Sequence, residues 1–210
     1  MNLCVFAGPS LPPEDRVAAR GVTYAPPASR GDLMRASESH DAILLIDGVF
    51  HHDLAPSPKE SYAVCQRVRL FGAASMGALR AAECAPYGAV PLGAIAGWFV
   101  RETIDGDDEV AVLVDPRTQA ALTVPSVNVR YVSRLAVRRN LLSASEAADL
   151  IAGARDIFYM ERTWDGVVAL APKRARVALS RIAEEEGDLK RLDARFALKS
   201  VLRRLGGGNR

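Results

Sequence analysis

Cysteine is scarce in this 210-residue chain. The three present, Cys4, Cys65 and Cys84, are an odd number with no C-x-x-C pair. That spacing argues against a disulfide framework or a zinc ribbon and points to a reducing, cytoplasmic compartment. Histidine is equally sparse, and His40, His51 and His52 stand at no zinc-ligand spacing with a cysteine, so no metal site is expected. Long apolar runs are missing too. The uncharged stretch from Tyr87 to Val100 is too short and too rich in Gly and Pro to cross a bilayer. Met1 leads into an apolar run with no basic segment before it, which is not the layout of a signal peptide. Aromatics make up only 6% and rarely interleave with basic residues, so no nucleic-acid partner is expected.

What remains is the composition of a globular protein, with a polarity of charge along it. Residues 1–125 carry 10 basic and 15 acidic side chains, and residues 126–210 carry 17 and 10. Such polarity can steer an acidic partner to the C-terminal half or pair two copies head to tail as a homo-oligomer. Leu3 to Phe6, Ala42 to Ile46, Leu70 to Ala73 and Glu109 to Val114 read as strands, with Ala121 to Val124 able to pair with the last. Gly31 to Ser37, Lys59 to Arg67, Ser75 to Cys84 and Pro91 to Arg101 have helical composition. The Pro-rich stretch holding Pro12-Pro13 and Pro26-Pro27 is expected to be loop or extended chain. From Ser126 onward helix follows helix. Ser143 and Glu146 form a capping box, Asp188 is a second N-cap, and Leu198, Leu202 and Leu205 share a helical face that ends at Gly206-Gly207-Gly208. The expectation is an α/β fold: a small, mainly parallel sheet with flanking helices over residues 1–125, and an α-helical C-terminal extension over residues 126–210, packed on that core.

The sharpest chemical signal is Phe71-Gly72-Ala73-Ala74-Ser75-Met76-Gly77-Ala78. A strand ends, small residues permit a tight reversal, and a serine stands at the mouth of a helix. This is close to a nucleophile elbow with Ala73 in place of the first glycine. First-turn amides could hold an oxyanion there. A serine in that position can equally cap its helix, and from the octapeptide alone the cap is the commoner outcome. A nucleophilic serine needs a base. His51 and His52 lie beside Asp53 in an expected surface loop, and Lys59, which has no other lysine before residue 173, is the competing candidate. Asp47-Gly48 ends an apolar strand, where α/β proteins place site residues, though Asp-Gly is also a common turn. Arg80 and Glu83 can pair at i, i+3. Asp107-Asp108-Glu109 reads as a solvated turn before a cation site.

Taken together, several stretches resemble the TfuA-like family. They are Val5 to Leu11 (VFAGPSL), Pro26-Pro27 with Gly31-Asp32, Ile46 to Phe50 (IDGVF), Lys59-Glu60, Phe71 to Glu83 (FGAASMGALRAAE), Asp107 to Val112 (DDEVAV) and Val127 to Arg130 (VNVR). Pro58 and Gly106 depart from the residues common in that family. The resemblance implies partnership with a YcaO enzyme in backbone thioamidation of a precursor peptide or protein, as in ribosomal-peptide biosynthesis. Within it, the expected activity is hydrolysis of the C-terminal thiocarboxylate of a ThiS-like sulfur carrier, releasing sulfide without a cofactor. A Ser-Lys pair maps onto Ser75 and Lys59. Gly8, Ser10, Asp47, Met76, Gly77 and Arg80 are the expected substrate-binding residues, with Met76 and Gly77 giving oxyanion amides and Arg80 offsetting the anion. A non-catalytic adaptor that recruits peptide or carrier to the YcaO enzyme is the alternative. A persulfide carried on Cys84 or Cys65 is a third reading.

Overall fold

The computed structural model describes residues 1–51 and 53–206. Two of the expected features, His52 and Gly207-Gly208, lie outside the described residues. The N-terminal region alternates strand and helix: β1 (Leu3–Phe6), β2 (Val22–Ala25), α1 (Asp32–Ala36), β3 (Ala42–Leu45), α2 (Pro58–Cys65), β4 (Arg69–Gly72), α3 (Met76–Glu83), β5 (Val90–Pro91) and α4 (Gly93–Val100). All strand pairings are parallel, in the order β2-β1-β3-β4-β5. β1 and β3 are apolar at every position because both sheet faces are covered.

The two-residue period of a strand sorts those side chains between the faces. Leu3, Val5, Ala42, Leu44 and Phe71 look to one side, where Ala194, Ala197, Leu198 and Val201 of the last helix, α9 (Leu189–Gly206), cover them. Cys4, Phe6, Ile43, Leu45 and Leu70 look to the other, against Leu33 and Ala36 of α1, Val64 of α2 and Ala81 of α3. β2 was not anticipated from its residues. At the edge of the sheet its side chains are only half-buried or exposed, so Val22–Ala25 lacks the apolar continuity of β1 and β3.

The chain forms two compact units. One is Met1–Asp107 with the chain from Lys190 onward, and the other is Asp108–Leu189. The seam expected at residue 125 is therefore not where the units part. A helical period marks an apolar face without saying which surface it covers, and α9 covers the sheet. In the second unit α5 (Ser126–Arg138), α6 (Ala144–Asp156), α7 (Trp164–Leu170) and α8 (Arg176–Glu186) enclose Val129, Val132, Leu150, Ala154, Val167, Leu179 and Ile182. The Ser143/Glu146 capping box is present at the start of α6. The strand expected over Glu109 to Val114 is not formed. Asp107–Glu109 is a 3-10 turn, and only an isolated antiparallel bridge joins Val114 to Ala121.

Candidate functional site at the carboxyl edge of the sheet

Parallel strands deliver their following loops to one edge of the sheet, and ligand sites of open α/β sheets lie there, at the point where strand order reverses. In this sheet that point is between β1 and β3. Asp47, just past β3, is 3% exposed. Its Oδ2 accepts the N–H of Gly8 (2.8 Å) and of Ser10 (3.0 Å), and its Oδ1 accepts the Ser10 hydroxyl (2.7 Å). Sequence reading placed Gly8, Ser10 and Asp47 in one site, and the fold does bring them together. Their polar groups are spent on each other, so they build the floor of this edge and hold its two loops in register.

The elbow lies next to that floor. A Cβ at Gly48 would fall 2.8 Å from Cγ of Met76, so the Met76 side chain lies over that glycine and is itself buried. The Gly77 N–H donates to the Ile46 carbonyl (3.1 Å), and a Cβ at Gly77 would collide with the Leu45 carbonyl. A Cβ at Gly72 would likewise strike the Gly77 carbonyl. The run of small residues therefore serves to press α3 against β3 and β4. Gly77 is corrected from an oxyanion donor to a contact residue, because its amide is already committed.

Ser75 follows a strained turn. Ala74 has φ +63°, in the left-handed region that L residues avoid, and the Ser75 N–H donates to the Ala73 carbonyl (2.8 Å). Although Ser75 occupies the N-cap position of α3, its side chain caps nothing. Among the described residues the hydroxyl has no hydrogen-bond partner, although Ser75 is only 1% exposed. The amides of Ala74 and Met76 have no acceptor among the described residues either. The turn thus holds one uncommitted hydroxyl with two uncommitted N–H groups, the parts of an acyl-transfer centre.

Lys59 and Arg80 are placed differently. Lys59 is exposed in the first turn of α2, which Ser57 caps by accepting the Glu60 N–H (3.1 Å). The Pro56 carbonyl accepts Nε of Arg80 (2.7 Å) and the Pro58 carbonyl accepts the Cys84 thiol (3.7 Å). The start of α2 is thereby tied to the later part of α3, and no hydrogen bond joins Lys59 to Ser75. The Arg80 guanidinium also pairs with Glu83 (2.6 Å), so it is engaged along the α2–α3 seam.

The remaining candidates fall away for local reasons. His51 is exposed, with Nδ1 accepting the Asp53 N–H (3.3 Å), and His40 precedes β3 at the opposite sheet edge. Burial pushes the Cys84 thiol up to about 11, helped by Cys65 and Glu83, and desolvation raises Cys65 as well. A thiol held protonated is a poor persulfide carrier. In the second unit, the Glu109 carboxylate is 1% exposed and takes two bonds from Arg130 (2.9 and 2.5 Å). Among the described residues no cluster of three or more His, Cys, Asp or Glu side chains is arranged to hold a metal ion, and no helix is long and apolar enough to cross a membrane.

Two residues that sequence reasoning missed are Lys190 and Asp193, 4% and 6% exposed on α9. The Asp193 carboxylate accepts the amides of Ala94 (3.0 Å) and Ile95 (2.7 Å), capping α4 from another helix. Gly93 makes room for it: φ is +89°, and a Cβ there would lie 2.6 Å from the carboxylate. The signal was legible in principle, as two charged residues at i, i+3 on an otherwise apolar stripe. Among known proteins, the model of the TfuA-like protein family matches residues 47–163, just over half of the chain. No curated protein matches it.

Proposed function

The chain belongs to the TfuA-like family, associated with YcaO-type thioamidation, and from that premise we propose that it hydrolyses the C-terminal thiocarboxylate of a ThiS-like carrier, supplying sulfide to a YcaO partner. The observation that carries this reading is the uncapped Ser75 hydroxyl beside the free amides of Ala74 and Met76. The left-handed turn at Ala74 that presents this hydroxyl lowers stability. Such a cost persists where it serves chemistry.

In the reaction a lysine amine takes the Ser75 proton and the oxygen attacks the thiocarboxyl carbon. The Ala74 and Met76 amides hold the oxyanion as the C–S bond breaks and hydrosulfide leaves. Water then releases the carrier carboxylate from the acyl-serine. In the pairing expected from the resemblance the amine is Lys59. Because that side chain stands exposed and out of contact with Ser75, carrier docking has to draw the first turn of α2 toward the elbow. The test is sulfide release from a thiocarboxylated carrier. Ser75→Ala should abolish it, and wild-type release by that variant would end the hydrolase reading. The adaptor reading draws on the near-complete burial of Ser75, which leaves the hydroxyl little open approach. It requires Ser75→Ala to stimulate the YcaO enzyme as well as wild type does.

A further inference from the structure

α9 turns one stripe to the sheet and leaves another outside. Leu192, Arg195, Phe196, Lys199 and Arg203 recur at the helical period, and all five are exposed. The only acidic residue of α9, Asp193, is buried. Arg195 has Asp15 at 3.8 Å, whereas the Lys199 and Arg203 side chains make no ion pair or hydrogen bond with any described residue. Exposed arginines of the second unit are matched instead, Arg139 with Glu186 and Arg174 with Glu146. A cation in the last turn complements the helix dipole, which accounts for Arg203. It accounts neither for Lys199 nor for Leu192 and Phe196, which are 47% and 52% exposed. One exposed apolar side chain is ordinary. Two of them a turn apart, bordered by unpaired cations, have the make-up of a protein interface, with an apolar centre and a polar rim.

The stripe begins at the sheet edge that holds the elbow. Asp193, next to Leu192, takes the Ala94 and Ile95 amides, and two residues before Ala94 the Leu92 N–H donates to the Gly72 carbonyl (2.9 Å). From there α9 runs back over the sheet, so the apolar pair lies at the elbow's end of the stripe and Lys199 and Arg203 lead away from it. A second copy laid helix to helix on this face would set cation against cation, which is repulsive. The complementary occupant carries carboxylates. We propose that the outer face of α9 is where the sulfur carrier docks, and that the carrier meets it with an apolar spot bordered by carboxylates beside its C-terminal tail. This rests on carrier hydrolysis as the proposed reaction and adds the surface that holds the carrier while its tail reaches Ser75.

The experiment measures binding of the thiocarboxylated carrier to the full chain by calorimetry, in a Ser75→Ala background that leaves the carrier intact. Adding Leu192→Ala with Phe196→Ala should weaken binding about tenfold or more, the usual cost of truncating interface anchors. Adding Lys199→Glu with Arg203→Glu should weaken it at least as much and remove its salt dependence, which the unreversed chain should show. With Ser75 restored, both pairs should raise KM for sulfide release and leave kcat unchanged, because the face holds ground state and transition state alike. All four side chains are exposed, so both variants should melt as wild type does. Carrier binding within twofold of the parent in both variants would overturn the proposal. So would α9-dependent binding of the YcaO enzyme or of phosphatidylserine vesicles in place of the carrier, or a self-association that the variants abolish. The two readings fail separately. Carrier binding that depends on α9, with no sulfide released by wild type, sinks the hydrolysis and keeps the docking face. Ser75-dependent release whose KM neither variant moves does the reverse.

Discussion

A single methyl group at position 77 would lift α3 from the sheet, because it would enter the space of the Leu45 carbonyl. Backbone cannot give way as a side-chain tip can, so Gly77→Ala should lose roughly 3 kcal/mol in urea titration, at the upper end for overpacking. Two residues earlier the expectation reverses. Among the described residues the Ser75 hydroxyl has no hydrogen-bond partner, so Ser75→Ala removes a polar atom without breaking a contact. Its stability should stay within about 0.5 kcal/mol of wild type or rise. A loss of more than about 1 kcal/mol would mean the hydroxyl supports the fold, and the capping role would return. The octapeptide made the elbow legible. Which amides stay free was not legible, since that depends on the Ile46 carbonyl, 31 positions before Gly77, accepting one of them.

At the scale of elements, legibility followed burial. β1 and β3 are apolar throughout and stood out at once, whereas β2 is an edge strand and the two-residue β5 is half-buried, and neither did. The helices of the second unit were legible, but not what secures them. Arg162 is 1% exposed, and its guanidinium donates to Ala154 (2.8 Å) and Ile157 (3.0 Å) at the end of α6 and to Val124 (3.4 Å). It caps the negative end of that helix, and burial lowers its pKa from the usual arginine range. Only a planar fork reaches three divergent carbonyls. Arg162→Lys should therefore lose about 2 kcal/mol or more in the chemical unfolding of the second unit, through carbonyls left unpaired. Equal stability of the lysine variant would show that charge alone suffices there.

For the molecule as a whole, α9 decides whether the sheet stands. Its attachment to the loop after β1 is acid-sensitive. The side-chain bond to Arg191 holds the Asp15 carboxyl below its ordinary 3.8, and the nearby Arg195 adds to this. A depressed folded pKa contributes stability that is present above 3.8 and is lost as pH falls through the depressed value. Asp193 has the opposite sign: burial raises it, outweighing the Ile95 and Ala94 amides. Its contribution is full below 3.8 and fades as pH rises through the raised value. Asp15→Asn should flatten the loss of stability below 3.8 and leave the limb above it, as melting temperature against pH would show. Removing α9 outright is the stronger test. Leu3, Val5, Leu44 and Phe71 would then face water, at roughly 1.5–3 kcal/mol apiece. That sum, roughly 6–12 kcal/mol, is comparable to the whole stability of an ordinary domain, about 5–15 kcal/mol. A chain stopped after Leu189 should lose hydrogen-exchange protection throughout β1, β3 and β4, while α5 to α8, whose core lies within residues 108–189, keep theirs. Protection surviving in β3 would mean that the sheet is self-supporting and that α9 only rests on it.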